Sequence, residues 1–343
     1  MNLLSVLSID KHGSRPKEAF ISAALALAIA WSAFPATVGT AEAAFPGRNG
    51  LIIVPIRVDP LPQQAPPYLD DLDLFTLGPD GTGLTRLTSG PPADFDPAWS
   101  PDGTKIAFAR ATPFALAADI YVMNRDGSGL VNITNSPLND DFAPEWSPDG
   151  KRIVFTSWDN WPTYILYETA VAPGGDLYIV DSDGGNLSPL VEDAGDQGLA
   201  TWSPDGKWIA FSEITTQTID LIRPDGSGRR SLTPRGAFGH TPYKADWSPD
   251  GKWIAFGAAG GSDQDIWVIR SDGKQLANLT AASGVDDQYG TWSPDGRQMA
   301  FISNRQSGWR LYRMDADGRN VRELIDIELV GGDYSRPDWG PRP

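Results

Sequence analysis

The stretch WSPDGKWIAF occupies residues 202–211 and recurs letter for letter at residues 247–256. Three near copies stand at residues 99–108 (WSPDGTKIAF), 146–155 (WSPDGKRIVF) and 292–301 (WSPDGRQMAF). In S-P-D-G the serine suits the first position of a type I turn, the proline's fixed φ suits the second, and the glycine suits the fourth. The chain runs extended into each tryptophan. After the turn Ile-Ala-Phe alternates as a strand does, with Ile209 and Phe211 on one face and Ala210 on the other. Each copy therefore encodes a β-hairpin, and no segment carries a helical period.

A third apolar run follows each hairpin: DIYVM (Asp119 to Met123), DLYIV (Asp176 to Val180), IDLI (Ile219 to Ile222) and DIWVI (Asp265 to Ile269). Each ends in a further turn (RDGSG, SDGGN, PDGSG, SDGKQ), and a short fourth run leads to LVNIT (Leu130 to Thr134), RSLT (Arg230 to Thr233) or LANLT (Leu276 to Thr280). The unit is a four-stranded antiparallel meander. Trp99, Trp146, Trp202, Trp247, Trp292 and Trp339 are spaced by 47, 56, 45, 45 and 47 residues, the period of one propeller blade. Trp339 marks a first strand with no second behind it, and Leu51 to Val54 is a second strand with no first. The expected fold is all-β, a six-bladed β-propeller of four-stranded antiparallel blades, closed by pairing of the N- and C-terminal strands so that no sheet edge is left between first and last blade.

The W-S-P-D-G-x-x-I-A-F unit, followed by D-I-Y-V-M-x-x-D-G-S-G and L-T, resembles the PD40 repeat, the WD40-like repeat of the TolB propeller and of the propeller in some oligopeptidases. The resemblance spans residues 45–343 and concerns the propeller alone. TolB also carries an N-terminal α/β domain and the oligopeptidases a hydrolase domain, and neither is expected within residues 44–343. The resemblance implies that a divalent ion, calcium foremost, can sit in the central channel.

Residues 19–36 (AFISAALALAIAWSAFPA) form the only long apolar run, preceded by Lys11, Arg15 and Lys17 and followed by the small-x-small pattern Ala41-Glu42-Ala43. Residues 1–43 read as an export signal removed before Ala44, with an uncleaved membrane anchor as the alternative. A periplasmic or secreted, monomeric propeller over residues 44–343 is expected. The chain has no cysteine, which excludes disulfides, thiolate metal sites and a lipid-attachment cysteine. It carries 28 basic and 44 acidic residues, net −16. The leader holds three of each sign, so the whole imbalance falls on the propeller. That sign argues against nucleic acid and anionic membrane surfaces and favours a cationic partner or ion.

In an up-and-down blade, the loops joining strands one to two and three to four share one face of the disc. Those joining two to three, and blade to blade, share the other. The first face is made of near-uniform turns. The second carries two insertions, Asp59 to Asp71 (DPLPQQAPPYLDD) and about Ser157 to Gly175 (SWDNWPTYILYETAVAPGG), and repeat proteins commonly place insertions on the working face. Trp158, Trp161, Tyr164 and Tyr167 crowd the second insertion. They are candidate binding residues for a protein or peptide, or a satellite core beneath the loop.

Blade-to-blade loops on the same face carry Asp94, Asp140 and Asp141, Asp196, Asp286 and Asp287, and Asp333, five or six residues before a tryptophan. The loop before Trp247 carries His240 instead. If these loops rim the channel, Asp94, Asp141, Asp196, Asp287 and Asp333 are candidate ligands for calcium or a cationic side chain, and otherwise they are solvated turn residues. His240 is the one histidine after the leader, and there is no G-x-S-x-G, so a serine triad has little to draw on. The expectation is a protein- or peptide-binding module of the envelope or extracellular space. A hydrolase or lyase working on an extracellular polymer through channel carboxylates is the alternative.

Overall fold

The computed structural model describes residues 47–59, 71–111, 117–136, 139–158, 175–191, 195–281, 284–306, 308–329 and 336–343. It holds six four-stranded antiparallel sheets and, among the described residues, no helix. Blade 1 joins Asp338–Pro341 to Asn49–Asp59, Asp71–Leu77 and Thr85–Arg86. Blades 2 to 6 follow in chain order, with first strands Asp94–Trp99, Asp140–Trp146, Gln197–Trp202, Tyr243–Trp247 and Asp287–Trp292. Each first strand packs beside that of the next blade, and Asp338–Pro341 lies between those of blades 6 and 2. The ring is therefore closed, with Trp339 opposite Ile52 and Asp338 opposite Ile53.

The repeat letters map onto specific bonds. In blade 2 the Gly103 N–H donates to the Ser100 carbonyl (2.8 Å), and Ser100 Oγ bridges Asp102 Oδ1 (2.6 Å) and the Lys105 N–H (2.8 Å). Gly103 has φ +67°, a left-handed conformation costly for other residues. The same Ser-Asp bracket recurs at Ser147, Ser203, Ser248 and Ser293. The L-T and D-I-Y letters also belong together. Thr88, Thr134, Thr233 and Thr280 each accept the third-strand N–H of Leu74, Ile120, Ile219 or Ile266 at 2.9 to 3.1 Å. The hydroxyls of Thr88, Thr134 and Thr280 in turn reach Asp73, Asp119 and Asp265. This satisfies buried polar groups where the fourth strand is only two residues long.

The core lies between blades. The motif phenylalanines Phe108, Phe155, Phe211, Phe256 and Phe301 are fully buried, each worth roughly 2 to 3 kcal/mol of transfer from water. Ile209 and Phe211 pack with blade 3 residues Val154 and Leu177, while Ala210 faces Ala245 and Ile254 of blade 5. The alternation read from IAF is thus the alternation between two neighbouring blades. The six tryptophans are buried at these seams. A Cβ on Gly340 would stand 2.3 Å from the Trp99 ring, so the smallest side chain is required where blade 1 meets blade 2.

Candidate functional site

Both insertions leave the ring on one face. Asp59 pairs with Asp71 at the end of the second and third strands of blade 1, and Trp158 pairs with Gly175 at the same place in blade 3. Trp158 is half-buried and meets Phe142 edge-on at 5.2 Å, so this ring packs at the foot of the insertion. Trp161, Tyr164, Tyr167 and Asp333 lie outside the described residues. His240 is exposed in the loop between blades 4 and 5, on the face that bears the insertions.

The acidic positions five and six residues before each tryptophan separate into two kinds. At minus five the side chain meets a residue from the second strand of its own blade, the direct cross-strand partner in blades 2, 3 and 4 and Arg305, two residues beyond it, in blade 6. Asp94 takes a bidentate Arg110 pair (2.6 and 2.8 Å), Asp287 takes Arg305 (2.7 and 2.9 Å), and Asp141 accepts from Ser157 Oγ (2.6 Å). Gln197, at the same position in blade 4, donates to Glu213 (2.9 Å). At minus six the carboxylate reaches back to the preceding blade. Asp140, Asp196 and Asp286 accept the N–H of Ala118, Gly175 and Gln264 at 2.8 to 2.9 Å. Burial raises the carboxyls of Asp141, Asp196 and Asp287, and pushes Asp140 up to about 7. Among the described residues no three Asp, Glu or His side chains form a cluster able to hold a metal ion. Asp94, Asp141, Asp196 and Asp287 sit on four separate blades, each with its own partner, and so do not fit calcium as a shared donor set.

A second charged ring, closer to the axis, was not singled out in the sequence. Every first strand of blades 2 to 6 carries a β-bulge. In blade 2, Phe95 faces Ala109 and Ala98 faces Ala107, so Asp96 and Pro97 stand against Phe108 alone. The residue three before the tryptophan is left-handed in all five: Asp96, Ala143, Leu199, Lys244 and Tyr289, with φ between +49° and +56°. The residue one before it lines the channel, as Glu145, Thr201, Asp246, Thr291 and Asp338 do around a cavity of about 120 Å³ whose wall is the six tryptophans. Carboxylates therefore stand on blades 1, 3 and 5, in alternation with Thr or Ala on blades 2, 4 and 6.

Lys244 Nζ of blade 5 pairs with Glu145 of blade 3. Those blades are not neighbours, so the pair crosses the channel. Arg336 Nη1 binds Asp96 Oδ2 at 3.0 Å, with both side chains almost wholly buried, and its guanidinium lies 5.5 Å from the Tyr289 ring centre. Asp246 and Asp338 each accept the backbone N–H of the next blade's tryptophan, Trp292 and Trp99, at 2.7 Å. Burial pushes Asp246 up to about 7 and Asp338 up to about 6. Lys244 holds Asp246 down against that burial, and the neighbouring Glu145 charge raises both further. The letters before each tryptophan (AWS, EWS, TWS, DWS, TWS, DWG) were the available signal.

Fold and repeat chemistry define the class: a closed six-bladed propeller of PD40-type repeats. The family model described as the TolB beta propeller domain matches residues 163–343, more than half of the chain, and the protein belongs to that family. Its fold is similar to that of TolB from Acinetobacter baumannii (23% identity, TM-score 0.66, covering 87% of this chain and 68% of that one). It is also similar to a putative TolB from Agrobacterium tumefaciens (21%, TM-score 0.61, 86% and 99%). Oligogalacturonate lyase from Vibrio parahaemolyticus shares the fold more distantly (18%, TM-score 0.50, 74% and 71%). No curated protein matches the chain.

Proposed function

We propose that this chain is an exported binding module that captures a protein or peptide on its insertion-bearing face. The observation that carries the reading is the asymmetry of the disc. One face is built from turns whose Ser, Pro, Asp and Gly are all used in holding the turn itself. The other face releases both insertions, from blades 1 and 3. A rigid ring offering variable loops on one side is the arrangement in which loops carry recognition. Membership of the TolB propeller family supports a binding role, and the apolar run followed by Ala41-Glu42-Ala43 supports export to the periplasm or beyond. The acidic surface balance favours a partner that presents Lys or Arg.

The test is affinity capture from envelope and culture fractions with residues 44–343 as bait. A folded variant with residues 159–174 replaced by a short Gly-Ser loop is run alongside. Any retained protein is then purified and titrated against both forms. A partner that binds the first at least tenfold more tightly supports the reading. Equal binding to both, or a partner whose affinity follows changes in the SPDG turns instead, overturns it.

A further inference from the structure

The resemblance to TolB-type propellers implies a divalent cation in the channel, and the channel of this chain is furnished differently. Three carboxylates, Glu145, Asp246 and Asp338, project from alternate blades into one small cavity, an arrangement that in water-poor surroundings demands a counter-charge. The chain supplies one. We propose that the Lys244 ammonium is the resident cation of the channel, occupying by a covalently attached charge the role a divalent ion would otherwise fill.

Four observations carry this. Lys244 reaches across the axis to Glu145 of a non-adjacent blade, which a side chain held for packing alone would have no reason to do. Both partners of this pair are largely buried, Lys244 at 13% exposure and Glu145 at 20%, so the ammonium sits among the channel carboxylates and away from bulk water. It stands at the left-handed bulge position, φ +49°, which in blades 2, 3, 4 and 6 holds Asp96, Ala143, Leu199 and Tyr289, so Lys244 is the one cation at that position. Finally, Arg336 pairs with Asp96, whereas Lys244 is the cation whose charge acts on both Asp246 and Asp338. A bound divalent ion on that trio would have to approach an ammonium already in contact with one of its ligands, and like-charge repulsion at such range opposes it.

The proposal goes beyond the binding role of the disc face and is independent of it. Its test uses calcium chloride alone as the probe, with thermal melting and metal content as readouts, on wild type, Lys244→Arg, Lys244→Met and Lys244→Ala. Wild type and Lys244→Arg should melt within about 1 °C in millimolar calcium and in chelator, because calcium finds no vacant counter-charge to supply. Lys244→Ala and Lys244→Met should melt about 5 °C lower than wild type in chelator, and calcium should restore part of that loss by supplying positive charge to the channel carboxylates. Adding Asp246→Asn to Lys244→Ala should abolish that recovery. Two results would overturn the proposal: a calcium-dependent rise in wild type as large as in Lys244→Ala, or failure of both uncharged variants to fold or gain stability with calcium present.

Discussion

The propeller carries two sets of acidic residues at its first strands, an outer one on blades 2, 3, 4 and 6 and an inner one on blades 1, 3 and 5, separated by only a few residues of chain, and they are satisfied differently. In the outer ring, at positions five and six before the tryptophan, each carboxylate has a dedicated donor: Arg110, Ser157 or Arg305 in its own blade, or a backbone N–H of the blade before. In the inner ring, one before the tryptophan, the three carboxylates draw on Lys244, two backbone N–H groups and the Thr291 hydroxyl. The outer ring joins strands and blades through these bonds, although burial raises the carboxyls of Asp140, Asp141, Asp196 and Asp287 there as well. The inner ring concentrates like charge on the axis, so its charges cost stability unless neutralised or paired. The difference teaches that an acidic residue's role in a closed ring follows from what lies opposite it, not from its type.

That comparison can be broken most sharply at Asp94. Asp94→Ala should cost about 3 kcal/mol in urea unfolding, because Arg110 is left charged and poorly solvated between Phe108 and Tyr121. Adding Arg110→Met should recover most of it, and a loss below about 1 kcal/mol for the single variant would remove the structural role given to the outer ring.

Acid should act on the buried carboxylates of both rings in the opposite sense to an ordinary stabilising carboxylate. Asp246 and Asp338 have folded pKa values raised to about 7 and about 6, and Asp140 to about 7. Between about pH 4 and pH 7 the folded state therefore binds more protons than the unfolded chain, and stability falls as pH rises through that window. The melting temperature should climb by roughly 5 °C from pH 8 to pH 5. Below that window it should fall again, as the turn carboxylates Asp102, Asp149, Asp205 and Asp250, held below their ordinary pKa, take up protons. A flat profile from pH 8 to pH 5 would contradict the cost of burying Asp140, Asp246 and Asp338.

A single substitution refines the same point. Asp246→Asn keeps an acceptor for the Trp292 N–H and removes a charge from beside Glu145 and Asp338. At pH 8 it should raise the melting temperature by about 2 to 4 °C and flatten the pH slope, whereas destabilisation at pH 8 would show that Lys244 needs both carboxylates. Asp286→Ala, in the outer ring, should cost about 1 kcal/mol through loss of the bonds from the Gln264 N–H and from Asn304 Nδ2. The smallest effect is expected at His240. Exposed in its loop, it should tolerate alanine within about 0.5 kcal/mol, so any change in partner affinity on substitution would read as recognition and not as unfolding.

The blade, its four strands and the closure of the ring were legible as letters. S-P-D-G fixes a turn through side-chain brackets that span five residues, I-A-F fixes alternation, and the spacing of tryptophans fixes the period, all of them local interactions. The two unpaired strands at the chain ends were likewise readable, since each lacks a partner only the other can supply. Candidate binding and channel residues were legible only as types. Asp94 and Asp140 looked alike in sequence, yet they stand five and six residues before their tryptophans, and strand alternation turns one toward its own blade's second strand and the other toward the preceding blade. Glu145 and Lys244 are 99 residues apart, and no local pattern pairs them.

The sequence by itself determined the repeat, the blade and the number of blades, because turn geometry and strand alternation act over a few residues and leave their period in the letters. Tertiary structure alone decided which charges meet. Ring closure brings alternate blades to a common axis, and there the energy of a carboxylate depends on partners that the chain reaches only after a hundred residues.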